Sequence, residues 1–518
     1  MALYYLRVNL TAANIPYTTN DWGRTVIVPQ YDENFDYSVS SQASTDRDKG
    51  IPQIFYGHNV LPTERGIQSV GYKNVVPATG GTITNAAFTL QTPTLQRVIW
   101  TLSTAGYSYV FDADLGVWTF IPVAYGPTPF STLSTAYLQA QTYVYYSNVG
   151  CLIYNTVTKA SNLITLISLV PANIIGICAA NGYMIAWTST GVAWSGVNGN
   201  ILDFTPSLIT GANGAQIQEA KGAIITCLPI SGGFLIYCEK NVVAAKYSGN
   251  VNFPFIFTEV PGSSGITSAE QVSWQANLSE HYAWTTAGMQ KLDKTSSSLV
   301  FPEASDFLSS LVFEDFNEAT SLFTTEKLIV PLSVKVTIIG TRYIVISYGK
   351  VLFVYTHALV YDNALKRWGK LKFTHSDCFP YNFPNLSTSL AANPEINKQS
   401  FAFMQVTGAI YTVNMEISET TASGVLLLGK YQLQRNAFIT HQEATWDTVE
   451  SGNTFNYSVI PTLDGKTFLP AKGMFLSSTS PKTRNFLGKV TGQNISLLIT
   501  GAFNLVSGIV QFTTAGAR

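Results

Sequence analysis

The chain has 518 residues, with 30 Lys plus Arg against 31 Asp plus Glu and a net charge of −1. Only 12% of residues are charged, roughly half the share in an ordinary soluble domain, while aromatics reach 13%. That balance excludes a disordered chain, argues against a free nucleic-acid binder, and leaves room for two to four domains with a substantial core.

Residues 1–95 are polar and irregular, with clusters of Asp, Asn and Gly. They are expected to form an N-terminal arm and assembly region. The opening MALYYLRVNLTAANIP lacks the basic-then-apolar layout of a signal peptide. Thr45-Asp46-Arg47-Asp48-Lys49-Gly50 has a DxDxG core, but an EF-hand loop also needs a distal Glu. A plain turn is the expectation there.

From 96 to 424 strand signals dominate: runs of β-branched and aromatic residues bounded by Gly, Asn, Asp or Pro. First strands of successive hairpins are expected near Tyr107, Leu152, Tyr183, Phe234, Tyr282, Tyr343 and Phe401. Their spacing averages about 50 residues, close to the roughly 40–50 of propeller blades. Two internal similarities support the repeat. Val110 to Trp118 and Val360 to Trp368 both read V-[FY]-D-x-x-L-x-x-W, with the Asp suited to a tight turn. Ala186-Trp187-Thr188-Ser189-Thr190-Gly191 matches Ala283-Trp284-Thr285-Thr286-Ala287-Gly288, each a strand end and the Gly of a hairpin turn. The expected fold is all-β: a β-propeller-like core of about six to seven hairpin blades over 96–424, the N-terminal arm, and a C-terminal β-sandwich-like domain over 425–518.

Between Leu115 and Leu202 the only charged residue is Lys159. A surface so poor in charge is weakly defended against self-association, which favours a subunit of an assembly. Within this region Leu163 to Ala180 is free of charge and long enough to resemble a membrane span. Pro171, Asn173 and Gly176 interrupt it, so two buried strands joined at Pro171-Ala172-Asn173 are expected, with no membrane segment. Helical signals are scarce; the best candidate is Ser305 to Phe316, with Ser305 as N-cap.

Candidate chemistry is sparse. Glu303, Asp306, Glu314, Asp315 and Glu318 form an acidic group with no base between Thr295 and Glu326. Glycoside cleavage needs two carboxylates facing across a cleft; a solvated acidic face is the expected reading. His375 and Cys378 stand at i and i+3 without a second close pair for zinc. His58, His281, His357 and His441 are isolated. Cys151, Cys178, Cys227, Cys238 and Cys378 are odd in number and lack CxxC spacing, as expected of buried thiols in a reducing cytosol. No G-x-S-x-G, Walker loop or G-x-G-x-x-G occurs. The sequence therefore assigns no catalytic, cofactor-binding or metal residue and no cofactor, and the chain is expected not to be an enzyme.

The C-terminal portion from Ser451 carries Lys466, Lys472, Lys482, Arg484, Lys489 and Arg518 against Asp464 alone, a net of +5. Tyr457-Ser458-Val459-Ile460 leads into Leu463-Asp464-Gly465-Lys466, a hairpin signal, and Val490 to Phe512 predicts two or three short strands.

Gly191 to Ile266 resembles the nozzle, or tail tubular B, proteins of short-tailed bacteriophages (podoviruses). The resemblance rests on Trp194-Ser195 with Asp203-Phe204, then Gly232-Gly233-Phe234-Leu235-Ile236-Tyr237, Tyr247-Ser248-Gly249, Pro254-Phe255-Ile256-Phe257 and Gly262 to Ile266. It extends through Ser458, Asp464-Gly465-Lys466-Thr467, Arg484-Asn485-Phe486 and Gly492 to Ile499, over roughly residues 60–518. It implies a structural virion protein of the tail, made in the host cytoplasm. It further implies a homohexameric ring around a channel for double-stranded DNA during ejection. Below an adaptor or connector ring, such a subunit holds fibres, a needle or a plug; the family transfers no catalytic residue. Near-neutral charge suits a conduit through which DNA slides without sequence-specific contact. The +5 portion bordering the lumen, meeting an acidic neighbour, or forming a solvated basic face are three open readings. The alternative function is a carbohydrate-binding or carbohydrate-cleaving propeller, motivated by the aromatics and the acidic group. A trimeric tail-fibre or receptor-binding tail protein is a third.

Overall fold

The computed structural model describes residues 2–11, 26–27, 30–31, 54–76, 83–90, 97–103, 108–112, 117–121, 133–139, 141–146, 150–155, 161–164, 173–197, 201–273, 279–309, 311–317, 322–327, 333–381, 400–414, 423–449, 455–462, 472–477, 482–485 and 490–515. The described residues are almost entirely strand, arranged as a seven-bladed β-propeller joined to a second β module. Each blade is a four-stranded antiparallel meander. From innermost to outermost strand, the first is Ile83–Leu90, Arg97–Ser103, Ser108–Asp112 and Val117–Ile121. The second is Leu133–Leu138, Gln141–Tyr146, Gly150–Asn155 and Ser161–Ile164. The third is Gly176–Ala180, Tyr183–Trp187, Gly191–Trp194 and Asn213–Gln216. The fourth is Ile224–Ile230, Gly233–Cys238, Val242–Tyr247 and Phe255–Glu259. The fifth is Val272–Ser273, His281–Thr285, Gly288–Leu292 and Ser297–Leu299. The sixth is Val334–Ile339, Tyr343–Tyr348, Tyr355–Asp362 and Arg367–His375. The seventh takes Asp377–Tyr381, Ser400–Met404 and Ile410–Asn414, and borrows its outermost strand, Gly71–Val76, from the N-terminal region. Innermost strands of blades one to four and five to seven touch in turn, blades four and five share a core around Leu235, Tyr237, Val272 and Ala283, and the seventh returns to the first through Asp377–Tyr381 against Ile83–Leu90.

Strand period explains why these runs are apolar throughout. Side chains alternate between the two faces of a strand, and a blade between two others has no wet face. In Gly233–Cys238, Phe234, Ile236 and Cys238 pack toward the third blade, while Leu235 and Tyr237 pack toward the fifth. In Tyr343–Tyr348, Ile344, Ile346 and Tyr348 pack with the fifth blade, and Tyr343 and Val345 with the seventh. Each fully buried Leu, Ile or Phe stabilises by about 1.5–3 kcal/mol, so the ring is held by inter-blade cores. The internal similarities fall at equivalent places. Phe111 pairs Trp118, and Tyr361 pairs Trp368, across the third and outermost strands of blades one and six. The Ala-Trp-Thr motif turns from second to third strand in blades three and five; Thr188 and Thr285 each donate a hydroxyl hydrogen bond to the carbonyl of the turn-closing Gly191 and Gly288.

The second module is β-sandwich-like and built from one continuous hydrogen-bonded sheet. Its organiser is the 25-residue strand Gly424–Thr448. The first part of that strand pairs with Val490–Gly501 and Ile54–His58, and its second part pairs chiefly with Asn504–Ala515. Register shifts between Leu428 and Tyr431 and between Gln432 and Ala437 mark bulges where its pairing with Val490–Gly501 is interrupted. Gly429 there has φ +103, and a Cβ would strike the Tyr431 ring at 2.4 Å. Phe455–Thr462 and Lys472–Ser477 form a hairpin on one side, and Ala2–Asn9 lies antiparallel to Asn504–Ala515 over its whole length on the other.

Three expectations change. The region expected to be an arm is distributed: Ala2–Asn9 and Ile54–His58 belong to the second module, Gly71–Val76 and Ile83–Leu90 to blades. Long-range pairing of this kind leaves no local signal. The helix runs over Pro302–Ser309, and Leu311–Asn317 is a strand paired with Leu322–Lys327. Pro302 suits the first helical position. Ser305 lies inside the helix; its hydroxyl accepts from Met289 N at 3.1 Å. The apolar run 163–180 reaches into two strands, as expected, Ser161–Ile164 and Gly176–Ala180 of successive blades, while Pro171 and Ala172 of the expected junction lie outside the described residues. Val490 to Phe512 forms two long strands. The Asp464-Gly465 turn and Thr45 to Gly50 lie outside the described residues.

Candidate functional site

A few charges are enclosed between blades, beginning at the innermost strands of blades five to seven. Lys335 stands near the start of the innermost strand of blade six. Its Nζ lies 2.8 Å from Asp377 Oδ1, at the start of blade seven's innermost strand, and pairs with Glu270 Oε2. Glu270 is held by the short 3-10 turn Ala269–Gln271, capped by Ser268, just before the innermost strand of blade five. Ile338 N also donates to the Ser273 hydroxyl at 3.0 Å, a second link between blades six and five. The Asp377 side chain is 5% exposed. Burial pushes its carboxyl up to about 6 against the pull of Lys335, while Cys378 N donates to Oδ1 at 2.7 Å. Burial also penalises the Lys335 ammonium, but the two carboxylates outweigh it and hold its pKa well above the usual lysine value. Both acids are committed to one cation, so the arrangement braces three blades and leaves no opposed carboxylate pair for acid–base work.

A second cluster joins the propeller to the other module. Arg367, 8% exposed, opens the outermost strand of blade six. Its guanidinium donates to Thr11 O at 2.6 Å, to Leu10 O at 3.4 Å, to Gly66 O at 3.2 Å and to Thr63 O. Leu10 and Thr11 follow the strand Ala2–Asn9; Thr63 and Gly66 close the hairpin of Val60–Pro62 and Ile67–Ser69. That hairpin pairs with Arg367–His375 on one side and Asn504–Ala515 on the other. A planar five-donor fork suits such a ring of carbonyls better than an ammonium does. Asp362 closes the preceding turn, accepting from Ala364 N and Leu365 N through Oδ1 and from Arg342 through Oδ2.

The residues singled out in the sequence fall as follows. Glu303 Oε1 accepts from the buried Trp368 Nε1 at 3.1 Å. Glu303 and Asp306 ride on the helix, whereas Glu314 and Asp315 are on the strand after it; Glu318 lies outside the described residues. His375 has Nδ1 2.6 Å from Phe373 O and Nε2 2.8 Å from Ser347 Oγ; burial lowers its pKa to about 3. Cys378 is buried and its thiol is pushed well up. His281 accepts from Tyr237 OH at 2.8 Å and donates to Pro229 O at 3.0 Å, tying blade five to blade four; burial lowers its pKa to about 4. His58 meets Tyr56 OH at 2.8 Å, and His357 stacks on Tyr348. His441 lies on Gly424–Thr448. All five cysteines are buried and none forms a disulfide. Among the described residues no group of three His, Cys, Asp or Glu could hold a metal, and no helix is long and apolar enough to cross a membrane.

Sequence reading missed Lys335, Asp377, Glu270 and Arg367. Two carried a signal. Lys335 is a lone charge inside the apolar run Val334 to Ile339, and Arg367 replaces the apolar Val117 of the first copy of the V-[FY]-D motif.

No family model and no curated protein matches the chain. Among solved structures, YCF48 from Cyanidioschyzon merolae is similar at 12% identity and a TM-score of 0.37, over 66% of this chain and 98% of that one. The WD40 β-propeller domain of Doa1 is similar at 9% identity and a TM-score of 0.38, over 67% and 98%. YCF48 bound to D1 peptide is similar at 10% identity and a TM-score of 0.37, over 67% and 97%. The seven-bladed architecture rests on this chain's own strand pairing.

Proposed function

We propose that the chain is a structural subunit of the tail nozzle of a short-tailed bacteriophage. In this reading about six copies form a ring at the distal end of the tail, below an adaptor or connector. The ring guides and helps retain the double-stranded genome and anchors fibres, a needle or a plug. The observation that carries the proposal is the family resemblance over Gly191 to Ile266. The single charge between Leu115 and Leu202 supports it, because a surface so short of repulsion suits packing between copies. So does the use of Lys335, Asp377, Glu270 and Arg367 as internal braces, which suits a part that carries mechanical load. A net charge of −1 avoids the salt-dependent grip on phosphates that would stall a moving duplex. No residue is assigned a catalytic role.

The test is the mass and symmetry of the purified chain by native mass spectrometry and electron microscopy. Rings of about six copies that join tails lacking this protein are the supporting result; a monomer at high concentration with no incorporation refutes the proposal. The carbohydrate-directed alternative is separated by a polysaccharide depolymerisation assay, where loss of activity in Glu314→Gln would replace the nozzle reading.

A further inference from the structure

Large apolar side chains exposed to water gather on blades three and four. Val197, Leu208 and Ile209 project from the connection between the third and outermost strands of blade three. Val251, Phe253 and Ile256 project from the corresponding hairpin of blade four, with Tyr247 at its edge. Exposure runs from 39% at Tyr247 to 90% at Ile209. The two loops touch: a Cβ on Gly211 would lie 2.9 Å from both Val251 Cγ1 and Val251 O. Val197 N bonds Thr210 O at 3.1 Å, which places Val197 beside the same turn.

The patch is preformed. Trp194 Nε1 donates to Gly211 O at 3.1 Å, Ser207 Oγ accepts from Ile209 N at 3.2 Å, and Ser248 Oγ donates to Phe253 O at 2.5 Å. Pro254 and Phe255 are buried beneath it, and Phe255 packs edge-on against Trp194 and Phe234. Loops already fixed in place lose little entropy on docking.

Size and charge identify the occupant. A large apolar side chain presents very roughly 150–200 Å², so these exposures leave on the order of 700 Å² of apolar surface in water. The largest patch on a typical monomer is about 300–600 Å², and one side of a standard protein interface is about 800 Å². The stretches 204–218 and 247–258 contain no Asp, Glu, Lys or Arg, while Asp203, Glu219, Lys246 and Glu259, three acids and one base, stand at their borders. Within these stretches a charged partner would find no countercharge. A copy of the same chain presents the same uncharged apolar stretches in return.

We propose that this face of blades three and four is the seat of a second copy of the chain. The inference deepens the reading of the protein as a self-assembling subunit and rests on it.

The test compares the full-length chain with the double variant Ile209→Ser, Phe253→Ser by sedimentation velocity and native mass spectrometry over a range of concentrations. Both side chains are exposed, so the melting temperature should stay within about 2 °C. The expected result is association at least 100-fold weaker, since each lost anchor of an interface core costs tenfold or more. A wild-type ring that persists unchanged in the double variant overturns this inference and leaves the nozzle reading standing. A wild-type two-fold dimer that the variant abolishes supports the inference and overturns the ring. A wild-type monomer at every concentration overturns both. If the variant misfolds, hydrogen exchange on the wild-type chain decides: protection of 247–256 that rises with concentration supports the seat, and its absence overturns it.

Discussion

Replacing Arg367 with Met tests whether one side chain couples the propeller to the second module. Methionine retains much of the apolar stem and removes the donors to Leu10, Thr11, Thr63 and Gly66. A hydrogen bond from a charged donor contributes about 1.5–3 kcal/mol. The Leu10 contact is long at 3.4 Å, and Gly66 O also accepts from Thr63 N, so two bonds carry most of the loss. Burial already opposes the guanidinium, lowering its proton affinity below the usual arginine range, and relief of that strain offsets part of the cost. The expected net loss is about 2–4 kcal/mol. For a unit of 150–250 residues each kcal/mol moves Tm by about 2–4 °C, so calorimetry should show the second module melting some 4–16 °C earlier. Amide exchange in Ala2–Asn9 should accelerate in parallel. Arg367→Lys should fall between the two, because an ammonium cannot span carbonyls from two segments as the fork does. A variant that melts within 1 °C of wild type, with unchanged exchange, refutes the coupling.

Other perturbations follow from the same geometry. His281 and His375 have native pKa values of about 4 and 3, below the unfolded value near 6.5. Their stabilisation is full above pH 6.5 and is lost as pH falls toward those values, by about 2 kcal/mol each between pH 6.5 and 5; urea titrations should find a shallower acid slope in His281→Gln. Asp377 acts with the opposite sign. Its native pKa of about 6 lies above the unfolded value near 3.9, so its penalty grows as pH rises from 4 through 6, and Asp377→Asn should remove that dependence. Gly265→Ala should cost about 1–3 kcal/mol in chemical denaturation, because the new Cβ would lie 2.0 Å from Glu239 O and 2.3 Å from Lys240 N; a neutral result would mean the 239–240 turn shifts freely.

The propeller was legible because inter-blade burial forces both faces of a strand to be apolar, and such runs recur in the sequence at blade spacing. The phase was not. The starts expected at Tyr183, Phe234, Tyr282, Tyr343 and Phe401 fall on second strands, whereas those near Tyr107 and Leu152 fall on third strands. Within a meander every strand reads alike, so periodicity gives the number of repeats better than their frame. Gly71–Val76 was invisible as a blade strand because its partner Ile410–Asn414 is remote in sequence. The ion cluster was hidden for the same reason: Glu270, Lys335 and Asp377 meet only once three blades are stacked. The unpaired apolar face could not be read either, since Leu208, Ile209 and Phe253 look like any core residues until exposure is known.

The borrowed outer strand of blade seven also dictates an order of events during synthesis. Gly71–Val76 leaves the ribosome early, but Ile410–Asn414 follows roughly 330 residues later. At about 5–20 residues per second that is a delay of roughly 15–70 s. Throughout it the nascent chain holds an unpaired edge beside a growing stack of half-enclosed blades, the kind of species that aggregates or exchanges strands with a neighbouring chain. Ala2–Asn9 waits still longer for Asn504–Ala515. The circle thus closes only when late strands reach back to segments made hundreds of residues before them, which makes translation speed and chaperone protection of those waiting segments determinants of yield.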